Sequence, residues 1–146
     1  MKPIGIFPGS FDPFTVGHLS VLERALPLFS EVYVAVGYNQ SKETSTKVEE
    51  RLETIRQAVN KFPNVNVISY SGLTVDEARK VNATFMIRGI RDVADFEQER
   101  RLAEVNRKIS GLETIFFLAL PEYAAFSSSV VRELRSYGAD ISSFIP

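Results

Sequence analysis

The chain has 146 residues, of which 45% are hydrophobic and 24% charged, and its 17 Lys and Arg stand against 18 Asp and Glu for a net charge of −1. That balance fits one folded domain, residues 1–146, with a sizeable core; it excludes a disordered chain and a global basic field for gripping nucleic acid, so any anion site is local. Cysteine is absent and histidine occurs once, which excludes disulfides, thiolate nucleophiles, Cys-based metal sites and multi-histidine centres.

Pro3, Gly5, Pro8 and Gly9 break up the N-terminal apolar residues. Neither a signal peptide nor a membrane span is therefore expected, and a cytoplasmic protein with no nucleic-acid or membrane partner is the default. The first strand is read at Ile4 to Phe7. It runs into a segment, Gly5 to His18, that holds Gly9, Gly17, Ser10 and Thr15 and places the only histidine in the first turn of a helix. Free amides at a helix start attract anions, glycines admit close backbone approach, and hydroxyls add donors, so the segment reads as a nucleotide phosphate cradle. The bland alternative is a tight Pro8-Gly9 turn with a surface His18.

Leu19, Leu22, Leu26 and Phe29 give the first helix its buried stripe, and Pro27 is expected to distort or end the last turn. A second strand follows at Val32 to Gly37. Lys42 comes next, in a polar loop where lysines are commonly solvated. Val48, Leu52, Ile55, Val59 and Phe62 recur at helical spacing, with Thr46 or Ser45 as cap and Pro63 as stop. The remaining strands are read at Val65 to Ser69, Thr84 to Ile87 and Ile115 to Leu120. Helices are expected near Thr74 to Val81, from about Val93 to Ile109 on Val93, Phe96, Leu102, Val105 and Ile109, and at Ser128 to Tyr137.

Strands alternating with helices, rich in Val, Ile and Phe with little polar alternation, predict a Rossmann-like α/β fold: a doubly wound, five-stranded parallel sheet with helices on both faces. Ligands of such sheets bind beyond the carboxyl ends of the strands. Ser10 and His18 follow the first strand, Asn39 and Lys42 the second, Gly72 to Thr74 the third, Arg88 and Arg91 the fourth, and Ser127 to Ser129 the fifth. Arg88 and Arg91 suit bidentate phosphate contacts, with Gly89 keeping the backbone open, or else they answer Asp92, Asp95 and Glu97. Ser127 to Ser129 are a helix cap or a phosphate site, and Tyr123 and Phe126 line a base pocket or simply pack. No Walker phosphate loop, dinucleotide fingerprint, nucleophile elbow or zinc helix is present. Many phosphate binders with one imidazole suit a direct displacement at phosphorus, which needs alignment and charge stabilisation more than a protein nucleophile.

Pro8-Gly-Ser-Phe-Asp-Pro-Phe-Thr-Val-Gly-His18 resembles the Thr/His-x-Gly-His motif of the nucleotidyltransferase superfamily. Ile87 to Glu99, Asn106-Arg107 and Phe126 to Leu134 resemble, more narrowly, the bacterial phosphopantetheine adenylyltransferase family. Val16, Thr74 and Phe126 depart from the residues usual in that family at those positions. The resemblance covers nearly the whole chain as a single nucleotidyltransferase domain. It implies transfer of AMP from ATP to 4′-phosphopantetheine, giving dephospho-coenzyme A and pyrophosphate, with Mg2+ bound mainly through the ATP phosphates and no metal ligand on the protein. It also implies a homohexamer and feedback inhibition by coenzyme A.

Residue by residue, the resemblance implies that His18 contacts the α-phosphate and is catalytic. Ser10, Lys42, Thr74 and Arg88 would meet phosphopantetheine. Ser10, Phe11, His18, Gly89, Ile90, Arg91, Glu99, Tyr123, Ala124, Ala125, Phe126, Ser127, Ser128 and Ser129 would surround ATP. A transferase acting on nicotinate mononucleotide or a small alcohol phosphate would share the first motif and the sheet, but Lys42 and the Arg88 to Glu99 stretch argue against it. A nucleotide sensor without turnover is the reading from another class, against which His18, Ser10 and Arg91 stand together.

Overall fold

The branched and aromatic runs pair as five parallel strands in a computed structural model that describes residues 1–146. They are β1 (Ile4–Gly9), β2 (Glu31–Gly37), β3 (Val65–Tyr70), β4 (Phe85–Ile90) and β5 (Glu113–Leu118), in the order β3-β2-β1-β4-β5. The connecting helices are α1 (Val16–Ala25), α2 (Ser45–Val59), α3 (Thr74–Lys80) and α4 (Val93–Ser110), and α5 (Ser128–Ser136) follows β5. The predicted doubly wound sheet is thus the observed one. No helix is long and apolar enough to cross a membrane.

Alternation along the central strands divides the core into two layers. Phe7 of β1 and Val32, Val34 and Val36 of β2 join Leu22 of α1 and Leu52 and Ile55 of α2 on one face. Ile6 and Ala35 join Met86 and, from α3, Val75 and Ala78 on the other. Leu22 and Ile55 are fully buried, worth roughly 1.5–3 kcal/mol each relative to exposure. Pro27 ends α1 as expected, passing the chain into a 3-10 turn at Leu26–Leu28.

Several expectations need correction. The cap of α2 is Thr44, whose side chain accepts the Lys47 N–H, and not Ser45 or Thr46, which lie inside the first turn. Strand β4 runs on to Ile90 because its pairing with β5 continues through Arg88↔Phe116 to Ile90↔Leu118, so Arg88 stands within the strand and does not follow it. Strand β5 correspondingly begins at Glu113 and ends at Leu118. Val93, Phe96, Leu102, Val105 and Ile109 all remain exposed, and the one buried residue of α4 is Glu99.

The order of strands reverses beside β1, which makes the β1/β4 junction the switch point of the sheet. Pairing there is short. β1 and β2 are registered from Ile4↔Glu31 to Gly9↔Val36, whereas β1 and β4 are registered only at Gly5↔Phe85 and Ile6↔Met86. Beyond that point the Pro8 carbonyl is met by the Arg88 side chain, whose Nη1 donates to it at 2.5 Å. The gap between the two carboxyl ends is where the cavities lie.

Candidate active site

Two cavities meet at this gap. One, of about 270 Å³, lies toward α1 and α5 and is lined by His18, Gly89, Arg91, Tyr123 and Ser127 to Ser129 among others. The second, of about 340 Å³, lies toward α3 and α4 and is lined by Tyr70, Thr74, Leu102 and Asn106 among others. Pro8, Gly9, Ser10, Arg88 and Glu99 line both, so they form the partition through which the two communicate.

His18 is positioned by the cap of α1. Thr15 is the N-cap, its Oγ1 accepts the His18 amide at 3.2 Å, and its own backbone amide donates to His18 Nδ1 at 2.9 Å, closing a capping box. A backbone amide can only donate, so Nδ1 carries no proton and the remaining ring proton is on Nε2. The rings of Phe11 and Phe14 enclose the imidazole, edge-on at 5.0 Å and stacked at 5.5 Å. Burial, together with the positive charges of Arg88 and Arg91, lowers its pKa to about 4. At neutral pH the site therefore presents an uncharged N–H donor.

Gly9 makes this enclosure possible. A Cβ there would stand 3.0 Å from the Phe11 ring, which lies over the glycine. Phe11 itself is buried and takes a left-handed backbone with φ 47°, turning the chain sharply after β1.

Arg88 is held on three sides. Nε and Nη2 donate to the two oxygens of Glu99 at 2.7 and 2.6 Å, and Nη1 donates to Pro8 O. Three of the five guanidinium N–H groups are thereby engaged, which leaves two to face a ligand. Burial works against its charge, but the Glu99 carboxylate outweighs that and raises its pKa further. Arg91 is paired locally: the Asp95 carboxylate accepts its backbone N–H at 3.1 Å and its Nη2 at 3.4 Å.

The three serines divide their tasks. Ser127 caps α5 by accepting the Val130 N–H, Ser128 donates to Pro13 O at 2.8 Å, and Ser129 accepts from Arg132 Nη2 at 3.2 Å. Arg132 was not singled out in the sequence. It lines the first cavity and donates from Nη1 to Asp12 O at 2.6 Å. Its signal was its place three residues after Ser129 on the same helix, a spacing that brings the two side chains together.

Of the expected ATP neighbours, Phe11, Gly89, Arg91, Glu99, Tyr123 and Phe126 line the first cavity with the serines, whereas Ile90, Ala124 and Ala125 do not. Ile90 is buried, and its carbonyl accepts the Ala119 N–H at 2.8 Å. Thr74 lines the second cavity and lies 2.7 Å from the Tyr70 hydroxyl. Lys42 is exposed and lines neither. Both nearby carboxylates, Asp95 and Glu99, are engaged by arginines.

The cytidylyltransferase-like family model matches residues 6–134. A phosphopantetheine adenylyltransferase of Bacteroides thetaiotaomicron is 50% identical over 141 residues, covering 97% of this chain and 93% of that protein. One from Porphyromonas gingivalis is 48% identical over 145 residues, covering 99% and 95%. Among solved structures, a bifunctional NMN adenylyltransferase/ADP ribose pyrophosphatase from Francisella tularensis superimposes with a TM-score of 0.74 at 18% identity. It covers 99% of this chain and 45% of the other, a likeness of fold.

Proposed function

Because the chain belongs to the phosphopantetheine adenylyltransferases, within the cytidylyltransferase-like family, we propose that its two cavities are the donor and acceptor chambers of one in-line displacement. The activity is adenylyl transfer from ATP to 4′-phosphopantetheine in coenzyme A biosynthesis. The observation that carries the chamber assignment is the shared partition: Ser10 and Arg88 face both cavities, with His18 in the first alone.

In this reading ATP occupies the chamber of His18, Arg91 and the α5 N-terminus, and phosphopantetheine that of Thr74 and Asn106. A phosphomonoester is already largely anionic near neutrality, its second pKa being about 6, so its attack needs no general base. Arg88 and Lys42 align the attacking phosphate, the lysine by reaching in from its exposed turn. An oxygen of that phosphate bonds to the α-phosphorus of ATP as the bond to the bridging oxygen breaks, and pyrophosphate departs. Nε2–H of His18 donates to an α-phosphate oxygen as charge builds, while Arg91, Arg132 and the free α5 amides receive the leaving group. Mg2+ supplies further charge neutralisation on the ATP phosphates when bound.

The exposed Val93, Leu102, Val105 and Ile109 on α4, with Leu118 on β5, support self-association, in keeping with a homohexamer. Coenzyme A, which combines adenine and pantetheine groups, would compete for the same two chambers. Incubation with ATP, Mg2+ and 4′-phosphopantetheine, followed by mass detection of dephospho-coenzyme A, tests the reaction. Pyrophosphate release with nicotinate mononucleotide and none with phosphopantetheine would overturn the acceptor assignment.

A further inference from the structure

The turn that carries Lys42 is exposed, yet it is tied to the site from outside. The Asn39 carbonyl accepts the amides of Lys42 and Glu43, each at 3.0 Å, and Asn39 Oδ1 accepts the Ser41 N–H at 3.0 Å, so Asn39 to Glu43 close on themselves. Glu43 then fastens the turn: its Oε2 accepts the Asn39 amide at 3.1 Å, and its Oε1 pairs with Nη2 of Arg51. Arg51 belongs to α2, lines neither cavity, and has a side chain only 11% exposed. Its other terminal nitrogen, Nη1, donates to the Ser10 carbonyl at 2.7 Å.

One guanidinium thus holds the loop after β1 and the loop after β2 at a fixed separation. The planar fork is suited to this, because its two terminal nitrogens point to two partners at once, which a single ammonium on a flexible stem does poorly. The consequence for binding is entropic. A lysine on a loose polar turn must be ordered when a phosphate arrives, and a turn already anchored reduces that cost.

We propose that Arg51 is a positioning residue for the acceptor phosphate, setting the Lys42 turn against Ser10 through Glu43. The inference rests on the reading that Lys42 and Ser10 meet that phosphate. It concerns an ion pair outside both cavities that touches no substrate.

The test combines steady-state kinetics with hydrogen exchange on Arg51→Met, Glu43→Gln, Lys42→Met and the double variant Lys42→Met/Arg51→Met. Arg51→Met should raise KM for 4′-phosphopantetheine about tenfold, as for one lost charge-assisted contact, with KM for ATP moving much less. Glu43→Gln, a milder change at a partly exposed site, should shift it in the same direction, and Arg51→Lys should recover part of the loss. In the Lys42→Met background the effect of Arg51→Met should largely vanish, since contacts acting through one another are not additive.

Exchange at the amides of Asn39 to Glu43 should quicken in Arg51→Met and Glu43→Gln while α2 keeps its protection, separating a loosened turn from a failure to fold. Unchanged exchange at the turn would overturn the clamp alone. Equal effects on both substrates, or a full tenfold effect without Lys42, would overturn the positioning role. A wild-type acceptor KM in Lys42→Met would overturn the lysine's own assignment and the role of Arg51 with it.

Discussion

Both carboxylate oxygens of Glu99 are taken up by the guanidinium of Arg88, at 2.7 and 2.6 Å, across 11 residues of sequence and from helix to strand. Glu99 therefore aims the arginine as well as lining the cavities. Glu99→Gln should loosen that aim and raise KM for the acceptor about tenfold, as expected for one weakened charge-assisted contact. Arg88 keeps 29% side-chain exposure, so the loss of stability should be roughly 1–3 kcal/mol, below the 3–5 kcal/mol of a fully buried broken pair. Urea unfolding beside substrate kinetics separates the two effects.

Removing Arg88 or Arg132 should act on opposite substrates. Arg88→Ala is expected to weaken the acceptor by roughly 1.5–3 kcal/mol, and Arg132→Ala to weaken ATP by a similar amount. Isothermal titration of each variant with each substrate checks this. A weakened ATP in the first variant and a weakened acceptor in the second would reverse the chambers.

His18→Ala should lower turnover by about 10²–10³ while leaving both substrate affinities near wild type, the pattern of a donor needed in the transition state. The wild-type side chain can be watched directly. With one histidine in the chain, its ring nitrogens are unambiguous by NMR, and they should titrate near pH 4 with the proton on Nε2 above that pH. A midpoint near 6.5 would remove the neutral donor.

The same group links stability to acidity. Its pKa is 6.5 in an ordinary setting and about 4 in the fold. Between those values the unfolded chain binds more protons, so stability should rise with pH across the window and fall as the solution is acidified from 6.5 toward 4. Chemical denaturation at pH 5 and pH 7 should show that slope in the wild type and a shallower one in His18→Gln.

The sheet was legible because its signals are local: apolar β-branched runs for the strands, and the spacing of Val48, Leu52, Ile55 and Val59 for α2. The first-cavity residues were legible because the strand order sends consecutive loops to one edge. What escaped depends on distance through space. Nothing in sequence spacing joins Glu99 to Arg88, or Arg51 to Ser10 across 41 residues. The spacing of Val93, Phe96, Leu102, Val105 and Ile109 marks α4 as a helix but does not say which face is covered: the helix buries the carboxylate of Glu99 and leaves those apolar residues exposed. Arg88 reads as following β4 because the apolar run Phe85 to Ile87 stops before it, whereas backbone pairing with β5 carries on through the polar residue.

The brief pairing of β1 with β4 means that the sheet is two ribbons, β3-β2-β1 and β4-β5, joined along a seam of two rungs. Under the proposed function a substrate pair lodged across it would act as a brace, since Ser10, just after β1, and Arg88, within β4, line both cavities. Occupancy and fold integrity are then the same equilibrium seen from two ends, and ligand at a hundred times its Kd should add about 2.7 kcal/mol to the resistance to unfolding.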